Sequence, residues 1–218
     1  MSAPRQQLLR VQNFMLSTDG FGTGEGQSLE RPFGHADPAR LSAWAAATAS
    51  WPNRTDPGGT RGLDDYFTRD FGNNIGAEIM GRGKFGPQQG PWEDLDWKGW
   101  WGDEPPFHTP VVVLTHHVRP SIPLSGTTFH FLDAHPHEAL RQARALADGR
   151  DVRLGGGVST VREFLEADLV DTLHVAVAPV EIGRGGRLWH SPDELLDRFH
   201  HERVPSPSGV VHHLFWRR

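Results

Sequence analysis

Cysteine is absent from the 218 residues, which removes disulfides, thiol nucleophiles, iron–sulfur ligation and Cys-type zinc sites in one step. That absence is compatible with a reducing cytoplasm. No window approaches eighteen consecutive apolar residues, and the start MSAPRQQLLRVQNFML lacks the long apolar stretch and cleavage site of a signal peptide. The expectation is a soluble, cytoplasmic chain with no membrane partner. Basic charge is short too: 22 Lys and Arg stand against 27 Asp and Glu, a formal net charge of −5, so no positive field gathers a nucleic-acid backbone. Two motifs are also missing. Without G-x-x-x-x-G-K-[ST] there is no P-loop, and without G-x-S-x-G there is no hydrolase elbow of the usual kind.

What is present suits a globular α/β chain. Residues of the hydrophobic class make up 37%, and 25 glycines bring the apolar share close to half, enough for a real core in one large domain or two small ones. Residues 7–16 read as a strand ending at Thr18-Asp19-Gly20, followed by the Gly-rich loop GFGTGEGQSLERPFG. Asp37-Pro38 opens an Ala-rich helix over 39–49, and a second helix spans 63–71. Turn-rich stretches cover 52–62 and 86–110, the latter holding Trp92, Trp97, Trp100 and Trp101. From Pro110 onward strands and helices alternate: strands at 111–114 and 127–132, a helix over 136–147, a strand at 152–154, a helix over 158–167 and a strand at 173–180. Residues 199–204 and 210–216 flank Pro205-Ser206-Pro207-Ser208-Gly209 as an antiparallel hairpin. Parallel βα units plus a terminal hairpin predict a mixed sheet covered by helices. No repeat appears, and no linker cuts the chain.

Two glycine-rich turns carry the chemistry. Leu154-Gly155-Gly156-Gly157-Val158-Ser159-Thr160 lies between a strand and a helix, where glycine lets backbone approach a ligand and the helix start attracts an anion such as a dinucleotide pyrophosphate. The other reading is a tight turn without ligand. Gly81-Arg82-Gly83-Lys84-Phe85-Gly86 matches G-x-G-x-x-G literally, but Pro87 follows at once and the acids twenty positions on, Asp103 and Glu104, sit in the Trp-rich loop. The ordinary dinucleotide fingerprint is therefore disfavoured. Arg82 and Lys84 remain as cations for a phosphate, or as a solvated basic turn.

The segment LGGGVSTVREFLEADLVDTLHVAVAPVEIGRGGRLW, residues 154–189, resembles the C-terminal half of the dihydrofolate reductase-like family that includes the riboflavin-pathway pyrimidine reductases. Ser17-Thr18-Asp19-Gly20, Met80-Gly81-Arg82 and the strand 111–114 followed by Thr115-His116-His117 come in the order that family uses. The resemblance implies one α/β/α domain over residues 1–218, on a mixed, mainly parallel eight-stranded sheet that binds NADPH. It implies that Gly155, Gly156, Gly157, Val158, Ser159 and Thr160 hold the diphosphate. Gly81, Arg82 and Lys84, with Thr115, His116 and His117, would hold the adenosine end and its 2′-phosphate, and Asp19 and Gly20 belong to a loop closing over the nicotinamide. The two histidines depart from the common Ser/Thr-Arg pattern, and a histidine binds phosphate as a cation only when protonated. The resemblance further implies a homodimer joined through strand 173–180 and the last hairpin.

Hydride delivery to C=N or C=O needs a group that polarises or protonates the acceptor, and a partly buried Asp serves. Asp65 stands sixteen residues before Gly81, a spacing similar to that of the substrate-site carboxylate in dihydrofolate reductases; Asp64 is its alternative. Both also fit as first-turn acids stabilising a helix. The tryptophans, Trp92 foremost, with Phe85 and Phe107, either wall a pocket for a flat heteroaromatic substrate or plug a sheet edge or dimer contact. Thirteen histidines invite a metal, yet His200-His201 and His212-His213 are strand neighbours whose side chains point to opposite faces, so no metal site is expected. The zinc deaminase signature needs cysteines and is absent. The combined expectation is an NADPH-dependent reductase of a small pterin-like, pyrimidine-like or related cyclic substrate. The alternatives are a non-catalytic NADP-binding or assembly protein of the same fold, and an unrelated α/β binding domain.

Overall fold

The computed structural model describes residues 6–52 and 54–218. The first five residues, part of the stretch read for a signal peptide, and Asn53, in the turn-rich stretch 52–62, lie outside the described residues. In chain order the elements are β1 (Leu9–Ser17), β2 (Phe21–Thr23), α1 (Pro38–Ala46), α2 (Leu63–Arg69), β3 (Ile75–Gly81), α3 (Arg82–Phe85), β4 (Pro110–Leu114), β5 (Ile122–Leu124), β6 (Thr127–Leu132), α4 (Pro136–Leu146), β7 (Asp151–Gly156), α5 (Val158–Glu166), β8 (Thr172–Ala178), β9 (Gly186–Arg187), a 3-10 turn (Pro192–Leu195), β10 (Phe199–Pro205) and β11 (Val211–Arg217). Every strand and helix expected from periodicity is present, its ends within about three residues of the expected ones. The main sheet has nine strands and not eight. The addition is β5, three residues centred on Pro123 that pair antiparallel with β6 across Ser125-Gly126. A short edge strand containing proline gives no periodic signal. The Gly-rich loop also contains a strand, β2, paired with β9.

The chain packs as two compact units. One comprises Asn74–Asp171 with the chain up to Arg10, the other Val11–Asn73 with Thr172–Arg218.

In the first unit the strands run in the order β1, β7, β3, β4, β6, β5, with every pairing parallel except the last. Residues 75–80 of β3 are all buried, as expected of a parallel strand covered on both faces. Helix α4 packs against β3, β4 and β7, and α5 against β7 and β3. Met80, Val111, Val113, Phe129 and Phe131 form a cluster with fully buried Phe85, and Trp92, Trp97 and Trp101 pack onto it. Three of the four tryptophans of the Trp-rich stretch thus cover apolar surface of the sheet.

In the second unit the order is β10, β11, β8, β1, and β11 is antiparallel to both β10 and β8. The turn at 206–210 includes Gly209 at φ 86°, the left-handed conformation glycine adopts without strain. Leu41, Trp44 and Ala45 of α1, spaced i, i+3, i+4, cluster with Ala176, Ala178 and Val210. Asp37 caps α1 by accepting from the Ala39 N–H at 2.9 Å. At the other end the Arg54 guanidinium donates to the carbonyls of Ala46 and Thr48 at 2.9 and 3.0 Å, placing a cation where the helix dipole is negative.

Candidate functional site

The first unit carries the expected nucleotide turn. Strand β7 ends at Gly155-Gly156, the Gly156–Gly157 peptide is cis, and Gly157 precedes α5. No side chain caps that helix, so the N–H groups of its first turn are left for an incoming acceptor. The glycines differ in what surrounds them. A Cβ on Gly81 would lie 2.2 Å from Thr160 Oγ1, and one on Gly155 would lie 2.1 Å from Glu78 Oε1. Both are glycine because the protein itself fills the space. At Gly157 and Gly83 a Cβ would meet nothing within 4 Å, so the space in front of Gly157 is open to a ligand.

The expected cations separate as well. Glu78 on β3 is fully buried and paired with the Arg153 guanidinium and with Lys84 Nζ at 3.2 Å. Burial works against ionising Glu78, yet the charges of Arg153 and Lys84 outweigh it and hold its pKa below the usual value. Lys84 also donates to the Gly155 carbonyl at 2.8 Å, and burial lowers its pKa against the opposing pull of Glu78. This corrects the expectation that Lys84 offers its charge to a phosphate: its ammonium balances a buried carboxylate. Arg82 is placed differently. One of its terminal nitrogens donates to the Gly90 carbonyl, its guanidinium lies 3.8 Å from the Trp92 ring centre, and its Nε and second terminal nitrogen are buried without a hydrogen-bond partner. Arg119 lies 4.9 Å from the same ring, so Trp92 sits against two guanidinium groups.

Thr115 Oγ1 accepts from the His117 N–H at 3.1 Å, and the His117 carbonyl accepts from the Trp92 indole. The His116 ring is exposed, with Nδ1 3.0 Å from Asp133 Oδ1. Phe85 has no exposed surface and is core, which corrects its expected place in a substrate wall. Trp92 keeps partial exposure while packing on Phe85 and Phe131.

The second unit holds the expected carboxylates. Asp19 accepts from Ser17 Oγ and from the N–H groups of Ile182 and Gly183; burial opposes its charge, but these bonds outweigh it and keep its pKa low. Gly20 is at φ 85°, where a Cβ would lie 2.2 Å from the Trp189 carbonyl. The 17–20 turn is therefore tied to 180–183 and 189. Asp64 and Asp65 both lie in the first turn of α2. Asp65 is buried and Oδ1 accepts from the Ser50 N–H at 2.8 Å. Asp64 Oδ1 lies 2.8 Å from His212 Nε2, and its side chain keeps 12% exposure. Burial opposes ionisation of Asp64, but hydrogen bonds from Ser206, His212 and Ser208 prevail and hold its pKa below the ordinary carboxylate value.

Sequence reasoning missed Glu78, Arg153, Arg119, His174 and Asn13. The first two left a signal, opposite charges facing each other in the otherwise apolar strand interiors of IGAEIMG and DVRLGG; the others left none. The alternation read at His212-His213 holds: His212 bonds to Asp64 and His174, whereas His213 bonds to His201. Among the described residues no three His, Asp or Glu side chains gather as metal ligands, and no helix is long and apolar enough to cross a membrane.

Residues 11–204 match the RibD C-terminal domain. Two solved structures share the fold. A putative riboflavin biosynthesis protein from Shewanella sp. PV-4 is 16% identical with a TM-score of 0.57, over 97% of this chain and 98% of that one. A diaminohydroxyphosphoribosylaminopyrimidine deaminase/5-amino-6-(5-phosphoribosylamino)uracil reductase from Thermotoga maritima is 14% identical with a TM-score of 0.53, over 97% of this chain and 57% of that one. No curated protein matches the chain. With the match extending from β1 into β10 and through both glycine turns, the chain belongs to the RibD C-terminal domain family.

Proposed function

We propose that the chain is an NADPH-dependent reductase of a small cyclic substrate of the pyrimidine or pterin kind. The observation that carries this reading is the uncapped start of α5 behind Gly157, where the space a side chain would fill is empty. Family membership supports it, and the uracil reductase activity named for the Thermotoga protein suggests an aminouracil as the first substrate to try. Gly156, Gly157, Val158, Ser159 and Thr160 would hold the diphosphate through backbone N–H groups and hydroxyls. Arg82, its guanidinium held against Trp92 in the turn after β3, would take the 2′-phosphate. Thr115, His116, His117, Asp19 and Gly20 complete the proposed cofactor contacts, and Trp92 that with substrate. When bound, NADPH would supply the hydride, so that the substrate carbon gains hydride, its nitrogen or oxygen gains a proton, and NADP+ leaves.

Asp64 is the carboxylate we assign to the substrate, because it keeps an accessible edge; Asp65, buried against the Ser50 amide, is the control. An ionised Asp64 accepts an N–H and favours positive charge on the acceptor, whereas the proton comes from solvent. The same reading takes residues 1–218 as one domain acting as a cytoplasmic homodimer.

The test is a titration with NADPH and NADH, following energy transfer from tryptophan to the reduced nicotinamide. Tight NADPH binding, weak NADH binding and at least about tenfold weaker binding by Gly157→Val, whose side chain enters the open space, are expected. Binding of neither nucleotide overturns the reading. Binding without oxidation by any aminouracil or pterin points to the non-catalytic NADP-binding protein.

A further inference from the structure

Behind Asp64 lie two buried imidazoles whose hydrogen-bond direction is set from the far end. Asn13, at φ 52° in the left-handed region, directs its backbone N–H at His174 Nδ1, 3.3 Å away. An amide N–H only donates, so Nδ1 is the unprotonated nitrogen of that ring. The proton of a neutral His174 is then on Nε2, 2.9 Å from His212 Nδ1. That nitrogen accepts in turn, which puts the His212 proton on Nε2, 2.8 Å from Asp64 Oδ1. All three bonds run toward the carboxylate. An imidazolium at His212 would set a second N–H against His174 Nε2. His174 would then have to carry its own proton on Nδ1, facing the Asn13 amide, donor against donor in a buried place.

The surroundings hold the rings in this arrangement. Phe67 stacks on His174 with ring centres 4.2 Å apart and lies 4.4 Å from His212, and Trp44 presents an edge to both. His212 has no exposed surface. Burial lowers the pKa of both rings, that of His174 to about 3, with the charges of His212 and His213 adding to the effect there. At the open end Asp64 accepts from His212, and the Ser206 and Ser208 hydroxyls beside it help to hold its pKa down. An ionised carboxylate has about four acceptor positions, and the 12% of the Asp64 side chain that stays exposed leaves acceptor capacity toward the open side.

We propose that His212 and His174 are positioning residues, a one-way hydrogen-bond ladder anchored on the Asn13 amide that fixes the tautomer of His212 and presents an oriented, ionised Asp64 with acceptor capacity left for the substrate. The ladder ends on a backbone N–H and so orients without conducting protons. The role given to Asp64 rests on the reductase reading above; the ladder itself does not.

The test begins on the unaltered chain, with 15N NMR of labelled histidine near neutral pH. Both His174 and His212 are expected to be neutral with the proton on Nε2. A charged His212, or a proton on Nδ1 of either ring, overturns the proposal. The second measurement is the protonation midpoint of the Asp64 carboxyl by 13C NMR. His212→Phe is expected to raise it by about one pH unit or more, and His212→Gln, which keeps an N–H donor, to restore most of the difference. An unchanged midpoint in folded His212→Phe overturns the proposal; if that variant does not fold, the tautomers and the His212→Gln titration decide. None of these measurements uses cofactor or substrate. NADPH titration of the same samples fails separately if the reductase reading is wrong.

Discussion

Glu78 shows what one buried charge demands of its neighbours. A carboxylate with no exposed surface is stable only with its counter-charges in place, here the Arg153 guanidinium and Lys84. Removing one partner strands the other charge. Arg153→Met should therefore destabilise the fold by about 3–5 kcal/mol in urea unfolding, whereas Glu78→Gln with Arg153→Met together should recover much of the loss. If Arg153→Met costs under about 1 kcal/mol, the triad is not what holds β3 to β7. The same residues mark the limit of reading side chains from sequence. Arg82 and Lys84 are two positions apart in one basic turn, and nothing local says that Lys84 points to Glu78 while Arg82 keeps unpartnered nitrogens. The glycines divide the same way, since only the packed chain shows Thr160 in front of Gly81 and open space at Gly157.

Elements were more legible than side chains, because their signals are local and periodic. The Asp37-Pro38 start of α1 is a stop-and-cap signal that the structure uses as written, with Asp37 accepting from Ala39. Asp37→Ala is expected to cost about 1 kcal/mol, read as a lowered midpoint in thermal or denaturant unfolding; no change would mean that Trp44 and Leu41 packing alone holds the helix. Hairpin β10–β11 was equally plain, with alternating residues on either side of a Pro- and Gly-containing turn. The failures were short elements. Strand β5 has three residues around a proline and β2 has three in a glycine-rich loop, too few for a period of two to show. The Trp-rich stretch had no period at all. Where its side chains pack is visible only in the folded chain, with Trp92, Trp97 and Trp101 on the Phe85–Phe129–Phe131 cluster.

On the scale of the whole molecule, the buried histidines make stability depend on pH in one direction. A neutral His174 with its pKa lowered to about 3 binds no proton in the fold between that value and 6.5, while the unfolded chain does. Stability should thus be level above about pH 7 and fall below 6.5 by up to about 1.4 kcal/mol per pH unit from this ring. His212, His201 and His213, the last lowered to about 4 by burial and then by the charges of His201, Arg203 and His212, act in the same sense. Glu78, Asp64 and Asp19, with lowered pKa values, add their own loss below the ordinary carboxylate range. Urea unfolding at a series of pH values checks this; stability that is flat from pH 7 to 5 would mean that the rings are not neutral and enclosed as described.

One feature of β1 bears on how the chain comes to be folded at all. Leu9 and Arg10 pair with Val152 and Arg153, and Leu8 donates to Asp151 across 143 positions of sequence. During synthesis the first strand leaves the ribosome long before its neighbour β7 exists, so it must wait unpaired while well over half the chain is made. Contacts this distant slow folding, because the loop between them is ordered only after its entropy has been given up. Although made before β7, β1 is thus among the last strands to find its place in the sheet.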